Sequence, residues 1–283
     1  MKSNISYRPE IDGLRCLAVL SVIFYHYEFS FSNSILLTGG YIGVDIFYVI
    51  SGYLITSIIL KDIKNKKFSL LFFYQRRVRR LIPALLFVIL FFIPISWILL
   101  LPSELKDFFS SISFSTFFVS NIFFWKIGEI YGAAPSVLMP LLHTWSLAIE
   151  EQFYIFYPFL ILFIISIFKK KNLNIIIFFI FILSLGFAQY ISIKHPTFNF
   201  YMLPSRTWEL LAGALISINE KSLFNNKLRS YSSSLSIIGI ILIIFSTLFF
   251  HKNTLHPSLI TLVPVIGTIL LIIYTKNNNF IKK

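Results

Sequence analysis

The chain has 283 residues, 57% of them hydrophobic and 18% aromatic, with only 13% charged. That balance excludes an ordinary soluble domain and points to an integral membrane protein. The formal charge of +13 does not signal nucleic acid, because the lysines and arginines gather in short segments between apolar runs, the cytoplasmic bias of membrane topology.

The N-terminus, MKSNISYRPEIDGLR, lacks the compact apolar stretch and small-residue cleavage site of a signal peptide. Leu14–Phe31 is therefore expected as a retained first span. The single cysteine, Cys16, excludes an intrachain disulfide. Gly39–Leu60 follows, carrying only Asp45, and then Lys61–Arg80 with eight basic residues. Leu81–Leu101 runs 21 residues without an ionisable group, as do Leu173–Ile193 and Ser230–Phe250. About 20 apolar residues cross a bilayer core of roughly 30 Å. Thr144–Phe168, Leu203–Asn219 and Ser258–Thr275 complete the expected spans.

Phe108–Trp125 is uncharged but has seven hydroxyl or amide side chains in 18 residues. With eight spans and a cytoplasmic N-terminus, 20 of the 25 Lys and Arg lie inside; making this segment a ninth span reduces that to 15. The positive-inside rule favours eight, with Pro102–Leu142 on the outer face and Phe108–Trp125 re-entrant or interfacial. The expected fold class is all-α: one polytopic transmembrane helix bundle over residues 1–283, in contact with membrane lipid, with no soluble domain and no internal repeat.

Ionisable residues at membrane depth are rare and usually face an interior cavity. Here they are Arg15, His26, Asp45, Glu150, Glu151, Arg206 and Glu209. Each alone can be a helix-end residue reaching the headgroups, or a structural pair. Together they carry both signs and a histidine, which favours a polar interior site. Arg15 and His26 are 11 residues apart, about 16 Å along one helical face. The imidazole is expected about halfway across, as a structural hydrogen-bonder, a general base or a nucleophile. In FYQRRVRR, Arg76 and Arg79 are three apart, as are Arg77 and Arg80, so on a helix they form two adjacent ridges. Four arginines suit bidentate phosphate recognition or topological anchoring. In HTWSLAIEEQFY, His143 and Glu150 share a helical face at the outer end of their span. Arg206 and Glu209, at spacing three, are expected to pair. His195, His251 and His256 fall in predicted loops and are read as solvated.

Six segments in order carry a resemblance: RPEIDGLR with the following His26, GGYIGVDIFYVISGYLIT, FYQRRVRRLIPA, HTWSLAIEEQFYIFYP, PSRTWELLAG and LVPVIGTILLI. Together they resemble the membrane-bound acyltransferase family 3, which contains bacterial O-antigen, peptidoglycan and exopolysaccharide O-acetyltransferases. The resemblance implies an acyl group, usually acetyl, taken from acetyl-CoA or another acyl-CoA on the cytoplasmic face. The group is delivered to a surface carbohydrate hydroxyl, by a multi-pass protein of the bacterial cytoplasmic membrane. The family's Arg-x10-His motif falls on Arg15 and His26, which implies His26 as the catalytic residue. Its Arg-x-x-Arg motif, on Arg76 with Arg79 or Arg77 with Arg80, implies the donor side, where Arg15 is also expected. Glu150 and Asp45 are expected to join His26. His143, Trp145, Ser146, Glu151, Arg206 and Glu209 are then expected on the acceptor side. No metal is implied, and no metal-ligand cluster or phosphate-binding glycine loop is evident.

Family members normally continue past the LVPVIGTILL helix into further spans, one ending in a Trp-His-Pro-like motif, and some append an SGNH-type domain. This chain stops at NNNFIKK, so a C-terminally shortened member is expected, with an inactive remnant as one reading. A transporter or flippase using Arg15, His26, Asp45 and Glu150 as a relay is the alternative from another class. Such proteins often carry an internal repeat, and none is visible.

Overall fold

A computed structural model describes residues 8–27, 30–31, 34–35, 37–130, 138–224, 230–251 and 253–275. Twelve α-helices account for most of it: α1 (Pro9–His26), α2 (Gly43–Lys64), α3 (Leu70–Leu99), α4 (Pro102–Thr116), α5 (Ser120–Gly128) and α6 (Thr144–Phe168), then α7 (Leu173–Lys194), α8 (Pro196–Tyr201), α9 (Leu203–Ile218), α10 (Glu220–Phe224), α11 (Ser232–Phe249) and α12 (Leu262–Tyr274). Between α1 and α2, β1 (Ser30–Phe31) pairs antiparallel with β2 (Ser34–Ile35).

Among the described residues five segments are long and apolar enough to cross a membrane: Gly40–Lys64, Leu70–Leu99, Thr144–Phe168, Lys170–Lys194 and Ser232–Phe249. Gly40–Lys64 is mostly buried among the other helices, whereas α3 turns its apolar surface outward where lipid would lie; there Phe87 is 71% and Leu90 66% exposed. The other three expected spans do form helices, but α9 has 16 residues and α12 only 13. The first departs further from expectation. Proline at its first turn starts α1 at Pro9, where its missing N–H costs nothing. The helix thus takes in Glu10, Asp12 and Arg15, and it ends at His26 rather than Phe31. His26 accordingly caps a helix end instead of sitting in mid-span.

Phe108–Trp125 forms no single span. It breaks between α4 and α5 at Phe118, whose φ is 55°, and α4 is only about 22 Å long. The polar groups dock on α6: Ser115 and Thr144 hydroxyls lie 2.8 Å apart, Thr144 donates to Ser120 (3.0 Å), and Gln152 donates to Asn121 (2.8 Å). Protein partners thus satisfy hydroxyls and amides that lipid would leave unpaired.

The centre of the bundle is α2 against α9. A Cβ on Gly52 would lie 1.7 Å from the Leu210 carbonyl oxygen, and one on Gly213 would lie 1.9 Å from that of Val49. The two backbones touch, as small residues allow between membrane helices. This contact sets α2 and α9 at the spacing on which the charged cluster below depends. Gly52→Ala is expected to force the helices apart at a cost of 1–3 kcal/mol or more, about the scale of core overpacking. Thermal unfolding in detergent measures it; an unchanged midpoint would contradict the contact.

Candidate active site

At one end of the bundle the C-terminus of α1, the start of α2, the approach to α6, the α8–α9 turn and the α11–α12 loop converge on a cavity of about 510 Å³. Its walls include Tyr25, His26, Tyr41, His143, Trp145, Ser146, Phe200, Tyr201, Arg206, Thr254 and His256. The volume is in the range of small-molecule sites, and the wall mixes aromatic faces with a few polar groups, as such sites do.

A buried ionic cluster forms the floor. The side chains of Arg206, Asp45 and Glu209 are all 0% exposed. Arg206 Nη1 donates to Asp45 Oδ1 at 2.9 Å and to Glu209 Oε1 at 3.1 Å, and Nε donates to the Phe200 carbonyl at 3.1 Å. The guanidinium also faces the rings of Phe200 (4.9 Å) and Trp145 (5.7 Å). A buried guanidinium is tolerable only with such partners. The expected Arg206–Glu209 pair is thus present, and Asp45 joins it from the first turn of α2.

The cluster has a fourth member that the sequence reading set aside. His256, read as a solvated loop residue, has a side chain only 6% exposed. Its Nε2 lies 3.0 and 2.9 Å from the two Asp45 oxygens, and its Nδ1 lies 3.3 Å from Arg206 Nη2. Burial, reinforced by the guanidinium, holds its pKa well below the usual imidazole value. The ring is therefore neutral near pH 7, with Nε2–H donating to Asp45 and Nδ1 accepting from Arg206. No local signal marks this histidine, because its carboxylate partner lies 211 positions earlier.

The remaining expected residues fall in three places. His26, His143, Trp145 and Ser146 are on the cavity wall. Glu150 and Glu151 are not; they lie one to two turns further along α6. Glu150 Oε1 accepts from the Ser51 hydroxyl and from Tyr154, while Glu151 is 6% exposed and its Oε1 has no partner among the described residues. The arginines also lie away from the cavity. Arg15 pairs with Asp12 on its own helix (3.1 Å) and Arg76 with Asp62 (3.1 Å). Arg77 lies 4.7 Å over the Tyr154 ring, and Arg79 and Arg80 are exposed. Because α3 starts at Leu70, all four basic residues of FYQRRVRR ride on its early turns rather than in a loop.

A polar seam between α2 and α6 joins these regions. Tyr48 donates to the Ser146 carbonyl at 3.3 Å, Ser51 and Tyr154 to Glu150, and Thr56 shares a hydrogen bond with Tyr157 at 2.9 Å. Spacings of three to five residues on α2 and three to four on α6 put these groups on the facing sides. Arg77 meets the seam at Tyr154; Asp45 and Ser146 meet it at the cavity. Among the described residues no His, Cys, Asp and Glu group is arranged to hold a metal ion.

A helical bundle long and apolar enough for a membrane, with a charge-floored cavity and an imidazole on its wall, defines a membrane protein built around a polar interior site. Its sequence matches the Acyltransferase domain over residues 8–283, so the chain belongs to acyltransferase family 3. It is 41% identical over 187 residues to O-acetyltransferase OatA of Staphylococcus aureus (strain NCTC 8325 / PS 47), covering 64% of this chain and 29% of that protein. To peptidoglycan O-acetyltransferase OatA of Listeria monocytogenes serovar 1/2a it is 40% identical over 215 residues, 75% of this chain and 34% of that protein. To a putative O-acetyltransferase, SAS0844, of S. aureus (strain MSSA476) it is 38% identical over 219 residues, 76% and 35%. The matches thus take in about a third of these relatives' length. No solved structure matches the chain.

Proposed function

We propose that the chain is an acyl-CoA-dependent O-acyltransferase that carries an acyl group, in the first instance acetyl, across the bacterial cytoplasmic membrane to a hydroxyl of cell-surface carbohydrate. The observation that carries this reading is the placement of His26 on a cavity whose polar seam leads back to Arg77. The N-terminus lies in the cytoplasm and the chain crosses eight times, the short helices α1, α9 and α12 included. The basic C-terminal end of α2, the basic start of α3 and the lysines between α6 and α7 then face the cytoplasm, and the cavity opens outward.

On that reading Arg76, Arg77, Arg79 and Arg80 hold the phosphates of the donor, for which guanidinium forks are suited, and the thioester arm follows the α2–α6 seam. The acceptor sugar lies in the cavity against Trp145, with its hydroxyl toward His26. His26 takes the hydroxyl proton as the oxygen attacks the thioester carbonyl. The C–S bond then breaks, and the thiolate leaving group recovers that proton from the imidazolium. The new ester is released outward. Glu150, held by Ser51 and Tyr154, lines the donor route.

The donor assignment is tested by Arg76→Ala with Arg79→Ala. Losing two phosphate contacts should weaken acetyl-CoA binding in detergent by about 10-fold to 100-fold, on the scale of charge-assisted hydrogen bonds. Isothermal titration of the pair against the parent protein reads this directly, and equal affinities would remove these arginines from the donor site.

A further inference from the structure

An imidazole that moves a proton has to be held in one orientation, and a catalytic histidine is usually held by a carboxylate. Among the described residues the His26 ring has no hydrogen-bond partner. Asp45 is committed to two residues of the cavity wall, Arg206 and the other imidazole, His256. What His26 does have is a ring contact, and that contact is the first of three. Its ring meets Tyr25 edge to face at 5.2 Å, Tyr25 meets Tyr41 at 5.5 Å, and Tyr41 meets His256 at 4.7 Å, with interplanar angles of 72°, 75° and 72°. Aromatic pairs prefer this edge-to-face geometry, which resists rotation of either ring.

The chain of rings is pinned at both ends of its middle. A Cβ on Gly40 would lie 2.2 Å from the Ser21 carbonyl oxygen and 2.8 Å from Tyr25 Cβ, so the helical turn Gly40–Ile42 that leads into α2 is pressed onto α1, with Tyr41 beside Tyr25. The α11–α12 loop is tied to the same segment: Thr38 donates to the Phe250 carbonyl (2.6 Å) and Tyr41 to that of His251 (3.4 Å). At the far end His256 is gripped through both ring nitrogens by fully buried partners.

We propose that His256 is a positioning residue for the transfer reaction: fixed by Asp45 and Arg206, it sets the orientation of His26 through Tyr41 and Tyr25. This rests on the acyl-transfer reading for the role of His26, though the mechanical coupling stands apart from it. The buried cluster thereby does more than hold helices together; it gives the exposed end of α1 a rigid reference inside the bundle. His256 is not a catalytic residue in this scheme, since both its nitrogens are occupied by protein.

The test uses the full chain in detergent with ¹³C-labelled histidine, the His26 ring resonance being assigned by its loss in His26→Asn. His256→Gln keeps a donor for Asp45 but removes the ring, and Tyr41→Leu breaks the next link. Both are expected to shift and broaden the His26 resonance and to lower kcat for acetyl transfer on the order of tenfold. KM for acetyl-CoA should stay within about twofold, because donor binding is untouched. Tyr41→Phe, which keeps the ring, should leave the His26 resonance in place. If His256→Gln does not fold, the two Tyr41 variants decide alone. A His26 resonance indifferent to Tyr41→Leu overturns the proposal, as does a fall in kcat without any change at His26. If the parent protein transfers no acetyl group, the acyl-transfer reading fails, and a resonance that still moves as described upholds the coupling.

Discussion

Arg206→Met is expected to destabilise the fold by about 3–5 kcal/mol, the cost of stranding the partners of a buried ion pair. The side chain is fully buried and serves Asp45, Glu209, the Phe200 carbonyl and His256 at once. Removing it leaves two carboxylates within the bundle with no guanidinium between them, and one Glu209 oxygen is already without a partner among the described residues. Against a total stability on the order of 5–15 kcal/mol, a loss of this size should remove most monodisperse protein from detergent extracts. Arg206→Lys keeps the charge but not the planar fork that reaches several acceptors, so it should fall between. Adding Asp45→Asn and Glu209→Gln to Arg206→Met should recover part of the loss, since the stranded charges are then gone. Unfolding midpoints in detergent measure all of these; equal midpoints for Arg206→Met and the parent would show the cluster to be dispensable.

His26→Ala is expected to lower the acyl-transfer rate by about 10²–10⁴-fold, the usual scale for losing a positioned general base, with the protein otherwise intact. The contrast with Arg206 is the informative part. His26 is exposed, ends its helix, and makes a ring contact with Tyr25 as its packing, so little folding energy depends on it. Radiolabelled acetyl transfer by protein in liposomes, normalised to membrane abundance, separates the two effects. A variant that keeps its rate would take His26 out of the chemistry, and one that disappears from the membrane would make its role structural.

Much of the architecture was legible in the sequence because lipid imposes a simple rule. The uncharged 21-residue runs had to be helices: α7 contains its run whole, and α3 and α11 cover most of theirs. Boundaries set by packing were less legible. Apolar character alone reads Leu14–Phe31 as a span, yet Pro9 starts the helix earlier and it stops at His26. Phe108–Trp125 was rightly held apart by its hydroxyls, but the break at Phe118 is a backbone feature without a glycine or proline to announce it.

The site divides in the same way. Asp45, Arg206 and Glu209 were conspicuous as charges in apolar surroundings, and the spacing of Arg206 to Glu209 gave their pairing. That Asp45 would join them depended on the α2–α9 contact at Gly52 and Gly213, which no local pattern encodes. His256 was missed because a histidine in a polar loop looks solvated until the loop is seen folded back over the cavity. Glu150 is expected from the sequence beside His26 and Glu151 on the acceptor side; the helix carries both beyond Ser146, with Glu150 against Ser51 and Tyr154.

Mass spectrometry of envelope glycans from the host, with the gene intact, deleted, and restored with either the parent sequence or His26→Ala, bears most directly on acyl transfer to carbohydrate. Acetyl esters on a glycan that vanish on deletion, return with the parent sequence and stay absent with His26→Ala are the expected outcome. An identical ester profile in all four strains would contradict it.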